Sequence, residues 1–225
     1  MFFQEDVLER IVEMTNLYSV QKTGNSVKTT ADKITTYIGM HILMGIVPFP
    51  SYRHYWSKDL RYAQVADAMS LNRFEKLRRF LHFVDNNDQE GSDDKLFKLR
   101  PIITAIRNEC IKVEPEEFQS VDEQIIPCKT KRSKLRQYNP KKPKKWGFKN
   151  MVCAGNSGMM YDFYIYCGKE NNEPGFENLQ KCSSAVAKLS QHLHGKPGHK
   201  LYFDNWFSTL EHFHYLKSNG INAVV

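Results

Sequence analysis

Apolar positions follow a helical period in the first half of the chain and a strand period from about Phe118 onward. Ile34, Tyr37, Ile38, His41, Ile42 and Gly45 share one helical face. Pro48 and Pro50 stop that run, because proline cannot continue the backbone hydrogen-bond ladder. Leu71, Phe74, Leu77, Arg78 and Leu81 keep the same period behind Ser70, whose hydroxyl suits a helix start. The segment DNNDQEGSDD (85–94) then reads as an acidic, solvated loop. The first hundred residues are predicted to be helical.

Beyond Phe118 the runs shorten and begin to alternate. Phe118 to Val121 is a first strand, with imperfect alternation. Phe148–Cys153 and Met159–Cys167 flank Gly155-Asn156-Ser157-Gly158, and Met159, Tyr161, Phe163 and Ile165 alternate with Met160, Asp162, Tyr164 and Tyr166. That pattern predicts a hairpin with one buried face. Leu179, Cys182, Val186, Leu189 and Leu193 then recur at steps of 3, 4, 3 and 4, one stripe on an amphipathic helix that Gly195, Pro197 and Gly198 end. Leu201-Tyr202-Phe203 is a short strand closing at Asp204. Ser208 and Glu211 form an S-x-x-E capping box before a helix carrying Leu210, Phe213 and Leu216. Asn219-Gly220 stops it, and Ile221–Val225 makes a parallel strand by a crossover. The fold class is therefore mixed α/β (α+β): a helical region over 1–115, then over 116–225 a mixed sheet flanked by helices, antiparallel first and parallel later.

Composition narrows the setting. A chain of 225 residues with 41% apolar and 12% aromatic content can bury a core that offsets its ordering entropy. Cys110, Cys128, Cys153, Cys167 and Cys182 are widely spaced without a CxxC pair, which argues against a disulfide framework and a zinc finger. The opening residues carry Glu5, Asp6, Glu9 and Arg10 and do not make a signal peptide. The stretch Ile34–Val47 contains Thr35, Thr36, His41 and two glycines and is too short to span a bilayer. The sequence predicts a reducing, intracellular compartment and no membrane partner.

Charge is the most local feature. Ten cations lie between Lys129 and Lys149, more than the whole formal excess of +7, so the remainder of the chain is net acidic. They are Lys129, Lys131, Arg132, Lys134, Arg136, Lys141, Lys142, Lys144, Lys145 and Lys149. A concentrated patch points to one anionic partner; the run could also serve as a nuclear-import signal, and its interleaved prolines and aromatics favour nucleic acid over a membrane surface. Tyr138, Trp146 and Phe148 can stack on unpaired bases; the structural alternative has Trp146 and Phe148 opening the hairpin's buried face. At the mouth of this run stand Asp122 and Glu123. Asp122 and Asp204 close two strands of one predicted sheet, where neighbouring carboxylates could share a magnesium ion, although any two aspartates in a sheet protein can be read so. Glu123 could assist at such a site, but strand alternation turns it to the opposite face, which favours a structural role. His192, His194 and His199 with Cys182 are too irregularly spaced for zinc, and none is predicted.

The longer motifs add a specific likeness. VDEQIIP, QYNPKKPKKWGFK, NSGMMYDFYIYCGK and LYFDNWFSTLEHFHYLKSNGINAVV, with IGMHILMGIVPFPSYRHYWSKD and LNRFEKLRRFLHFVDN upstream, resemble the piggyBac family of DNA transposases and the host proteins derived from them. The resemblance implies a ribonuclease-H-like catalytic domain whose first part is 116–225, and a helical N-terminal region over 1–115 with a dimerisation or DNA-binding character. It implies three catalytic aspartates, magnesium or manganese as the ion, and DNA cut and rejoined at TTAA. Asp122 in VDEQ matches the first aspartate and Asp204 in FDNWF the second, as catalytic and metal-holding residues. Asn205 and Trp206 shape the turn beside it. The third would follow Val225, as would the family's cysteine-rich end-recognition module, so the chain reads as truncated at its C-terminus.

Three functions stay open on this reading. The first is a domesticated, transposable element-derived DNA-binding remnant without catalysis in this chain; the second is part of an active magnesium-dependent transposase; the third is a protein interaction domain. The favoured reading is the first, in the nucleus, with DNA as partner, homodimerisation open and no small-molecule cofactor. Its DNA-binding residues are the ten cations with Trp146.

Overall fold

Helices do carry the first half: α1 (Glu5–Thr23), α2 (Ala31–Ile46), α3 (Ala63–Ala66), α4 (Leu71–Phe80) and α5 (Arg100–Ile111). The computed structural model describes residues 3–89, 93–130, 133–168, 176 and 179–225. It divides into two compact units, Met1–Ile106 and Arg107–Val225, with the division inside α5.

In the first unit α1 ends at Gly24, whose φ of 73° is the left-handed conformation in which its N–H reaches the Val20 carbonyl at 2.8 Å. Ser70 caps α4 by accepting the Arg73 N–H, as the sequence predicts. Phe74, Leu77 and Phe80 of α4 pack on Tyr37 and Met40 of α2 and on Tyr55 and Val65. The buried side of α2 is rotated from the predicted one: Ile34, Tyr37 and Met40 are buried, while His41, Ile42 and Gly45 are exposed. The run IGMHILMGI is apolar on nearly every side, so the partner surface rather than the pattern selects the face.

The second unit is a six-stranded mixed sheet with helices. Its elements are β1 (Phe118–Pro127), β2 (Gln137–Tyr138), β3 (Trp146–Gly155), β4 (Met160–Ile165), α6 (Lys181–Leu189), β5 (Lys200–Phe203), α7 (Leu210–Ser218) and β6 (Asn222–Val224). β3 pairs antiparallel with β1, β2 and β4, whereas β5 joins β1 and β6 in parallel. Antiparallel pairing thus precedes parallel pairing, and the β5–α7–β6 crossover forms as predicted. The core lies on one sheet face, where Val121, Met151, Cys153, Leu201 and Phe203 meet Val186, Leu189 and Leu193 of the α6 region and Leu216 of α7.

Two local expectations are corrected. The capping box falls one residue late: Thr209, not Ser208, accepts the His212 N–H at 3.2 Å. Ser208 instead closes the short 3-10 turn Asn205–Phe207, and its buried hydroxyl has no hydrogen-bond partner among the described residues. That turn uses up the register a Ser208 cap would need, leaving Glu211 as an acid in the first turn of α7. The hairpin is also buried on more than one face, because Tyr161, Asp162 and Phe163 are all buried. The buried acid is compensated by a guanidinium fork: Arg107 Nε and Nη2 meet Asp162 Oδ1 and Oδ2 at 2.5 and 2.8 Å.

Close approach of β3 to β1 requires one glycine. A Cβ on Gly147 would lie 2.1 Å from the Ile126 carbonyl oxygen and 2.7 Å from the Ile125 side chain. Backbone cannot yield as a flexible side chain can, so Gly147→Ala is expected to lower stability by about 1–3 kcal/mol, read as a lower urea midpoint. An unchanged midpoint would contradict this packing.

Two histidines, the half-buried His192 and the buried His212, set an acid limit. His192 Nε2 bonds Gln119 Oε1 at 2.9 Å, and His212 Nδ1 donates to the Phe207 carbonyl at 2.9 Å. Burial pushes the pKa of both below the ordinary histidine value, only partly countered by Asp162 for His192 and by the Phe207 bond for His212. With the folded-state values lowered, the unfolded chain takes up more protons once pH falls below about 6.5. The melting temperature should therefore drop between about pH 7 and 5. A flat profile across that window would count against these lowered values.

Candidate functional site

The parallel register of β1 and β5 sets the two candidate aspartates. Val121 lies opposite Phe203, both on the core face. Asp122 and Asp204 each follow that last paired position by one residue, and both are exposed. The Asp122 side chain is 63% exposed. Asp204 has left β5, and its Oδ1 accepts the Trp206 N–H at 2.9 Å, capping the Asn205–Phe207 turn. Phe207 roots this turn: its ring is buried, and its carbonyl accepts from Ser183 Oγ at 2.9 Å as well as from His212. Trp206, in contrast, is 78% exposed.

Opposite Asp122 stands the turn that joins β2 to β3. The Asn139 N–H donates to the Lys145 carbonyl at 2.7 Å, and Asn139 Oδ1 accepts the Lys141 N–H at 3.2 Å. Pro140 and Pro143 fix their own φ and stiffen the loop further. The result aims one lysine inward. Lys142 Nζ lies 3.0 Å from Asp122 Oδ2 and 3.9 Å from Glu123 Oε1. Strand alternation predicts Glu123 on the far face, yet its longer side chain reaches the ammonium that Asp122 holds, and its N–H donates to Asp122 Oδ1 at 2.7 Å. Burial pushes the Asp122 carboxyl up, but hydrogen bonding with Glu123 and Lys142 outweighs it and holds the pKa below the ordinary value.

The remaining cations divide by role. Lys129, Lys134, Lys141, Lys144 and Lys145 are exposed and make no ion pair among the described residues. Lys131 and Arg132 lie outside the described residues. Arg136 is an internal staple: its guanidinium stacks 4.0 Å from the Trp146 ring centre and donates to the Lys129 and Thr130 carbonyls. Lys149 sits 5.9 Å over the Tyr166 ring. Trp146 does not open a buried face. It is 48% exposed and packs at 4.8 Å on Tyr138, because only the two-residue β2 borders it on that side; Phe148 is half-buried.

An open depression of about 400 Å³ runs over this face, lined by Ser120, Asp122, Glu123, Gln124, Lys142 and Lys144 among others. It adjoins a second of about 420 Å³ over Phe118, Ser120, Ala154 and Tyr202. The donors available to a cation are carboxylate oxygens, which suit magnesium or manganese, and the Lys142 ammonium stands where such an ion would contact Asp122 and Glu123. Among the described residues no group of three or more histidine, cysteine, aspartate or glutamate side chains is arranged to hold a metal. His192 is engaged with Gln119, His194 Nε2 lies 3.4 Å from Tyr215 Oη, and Cys182 Sγ lies 3.9 Å from Gln180 Oε1. The Lys142 contact was not legible as such, since ten cations in one run do not say which of them folds back.

Comparison with known proteins adds a lineage. The family described as transposase IS4 matches residues 1–225. The chain is similar to two human proteins, piggyBac transposable element-derived protein 3 (31% identical over 228 residues) and piggyBac transposable element-derived protein 2 (31% over 229 residues). Each match covers 99% of this chain but 38% of the relative, so the chain spans well under half the length of either. Among solved structures, a piggyBac transposase in a synaptic complex with hairpin DNA superposes with a TM-score of 0.82 at 23% identity, over 99% of this chain and 48% of that one. That likeness concerns the fold.

Proposed function

Since the chain belongs to the transposase IS4 family, in its piggyBac-type branch, we propose that residues 1–225 act as a DNA-binding remnant of a cut-and-paste transposase, in the nucleus and without strand cleavage of their own. The observation that carries this is the 139–145 turn, which leaves Lys141, Lys144 and Lys145 exposed, brings Lys142 to Asp122 and puts Lys144 on the lining of the same open depression. Lysines in such a turn neutralise successive phosphates and release the counterions condensed on them, which drives binding without reading sequence. Exposed Trp146 offers a ring edge to an unpaired base at a nicked or frayed end, while Arg136 keeps the ring in place.

The acids have a separate part. Asp122 and Asp204, with Glu123 alongside, are the groups that would hold magnesium or manganese. Such an ion, when bound between carboxylates, polarises a phosphoryl oxygen and lowers the pKa of a bound water. In-line displacement needs both the attacking and leaving oxygens clamped, commonly by two ions about 3.5–4 Å apart. The reading without strand cleavage rests on the family likeness, which implies a third catalytic aspartate besides Asp122 and Asp204.

Fluorescence anisotropy of a labelled duplex across a potassium chloride series tests the reading. Binding should weaken linearly on a log–log plot, with a slope near −0.9 for each phosphate neutralised. Affinity that barely responds to salt would shift the reading to a protein interaction domain.

A further inference from the structure

We infer that Lys142 is an exchangeable internal counter-ion: it occupies Asp122 and Glu123 while the chain is free, and a DNA phosphate draws it away so that a divalent cation can take its place. This rests on the reading of a phosphate-binding turn beside a cation-holding acid pair, and adds a linkage between the two ligands.

The geometry singles out this one lysine. Its ammonium is 3.0 Å from Asp122 and 3.9 Å from Glu123, and its side chain is 27% exposed, whereas Lys141, Lys144 and Lys145 in the same turn are exposed. The turn's backbone is fixed at both ends by the Asn139–Lys145 bond and the Tyr138–Trp146 pairing. Lys142 therefore need only rotate its own flexible stem to leave the acids, with no change in the strand frame. The acids it covers are solvent-accessible, so the ion pair is one that water, salt or a competing ion can open.

Competition fixes the signs. A divalent cation at Asp122 and Glu123 must displace the ammonium or share the acids with it, at a cost in like-charge repulsion. Phosphate offers that ammonium another partner. DNA should thus raise metal affinity and metal should raise DNA affinity by the same factor, since the coupling is reciprocal.

The test titrates manganese into the 225-residue chain by electron paramagnetic resonance, which reads free ion and needs no activity. Lys142→Met keeps the stem and removes the charge; Lys142→Arg keeps the charge. Without DNA, Lys142→Met should bind manganese about tenfold more tightly than the parent, the order expected for removing a unit charge a few ångströms away, and Lys142→Arg should match the parent. Duplex should tighten manganese binding in the parent, and less so in Lys142→Met. Equal manganese affinity in parent and Lys142→Met would overturn the exchange while leaving the acid pair as a cation site. No manganese binding by either would overturn both. Loss of duplex binding, followed separately by anisotropy, would instead strike the phosphate-binding reading.

Discussion

Replacing Lys141, Lys142, Lys144 and Lys145 together by alanine should make the salt dependence of duplex binding shallower by about three to four log–log units. At low salt the same variant should lose affinity by orders of magnitude, because each phosphate contact contributes through counterion release. The expectation follows from the turn: Lys141, Lys144 and Lys145 are exposed with no ion pair among the described residues, while Lys142 contributes only once it leaves Asp122. The fold should survive, since Asn139, Tyr138 and Trp146 hold the turn by backbone bonds that alanine leaves intact. An unchanged slope would place the DNA surface elsewhere.

Arg107→Ala should be the most destabilising single change, at about 3–5 kcal/mol, because it strands a buried carboxylate. The Asp162 side chain is 2% exposed and its guanidinium partner 31%. Two parallel N–H bonds from Arg107 reach both carboxylate oxygens, and without them only the Phe163 N–H, 2.7 Å from Oδ1, still donates to the buried acid among the described residues. Urea unfolding followed by tryptophan fluorescence reads the loss. Adding Asp162→Asn to Arg107→Ala should recover part of it by removing the unpaired charge. Equal stability of Arg107→Ala and the parent would show that the fork contributes nothing.

Period explains what the sequence made legible. The steps of 3 and 4 from Leu179 to Leu193 describe a stripe that is buried at Leu179, Val186, Leu189 and Leu193, although the helix itself covers only Lys181–Leu189 and a separate 3-10 turn, Gln191–Leu193, carries the last of them. The strand–helix–strand unit from Leu201 onward needed only local signals, and local signals suffice for a short crossover. The same logic fails where partners decide. For α2 the apolar run left the face open, and packing on α4 chose Tyr37 and Met40 over Ile42. In the hairpin, alternation placed Asp162 on the solvent side, since nothing in the local pattern reveals an arginine 55 residues away that pairs with it. The Ser208 cap was overridden by a 3-10 turn that Asp204 itself caps.

The candidate site divides the same way. Parallel pairing of β1 and β5, the strands that lead to Asp122 and Asp204, is what the chain's pattern and family likeness together imply. Division of the basic run into exposed lysines, an inward-folded Lys142 and a stapled Arg136 depends on a turn whose shape is set by Asn139 and two prolines. Composition reports the charge of such a segment but not its allocation. Lys131 and Arg132, outside the described residues, keep their place in the reading as expected phosphate contacts.

The central claim is that these residues bind DNA without cutting it. The most direct measurement incubates the purified chain with an end-labelled duplex bearing TTAA-flanked ends in the presence of manganese, beside Asp122→Ala and Asp204→Ala, and resolves the strands on a denaturing gel. The account predicts that the duplex is bound, as a native gel of the same mixtures would show, and that all strands stay intact in all three samples. Cleavage by the parent chain that disappears in both variants would contradict it and make the acid pair the centre of a working nuclease.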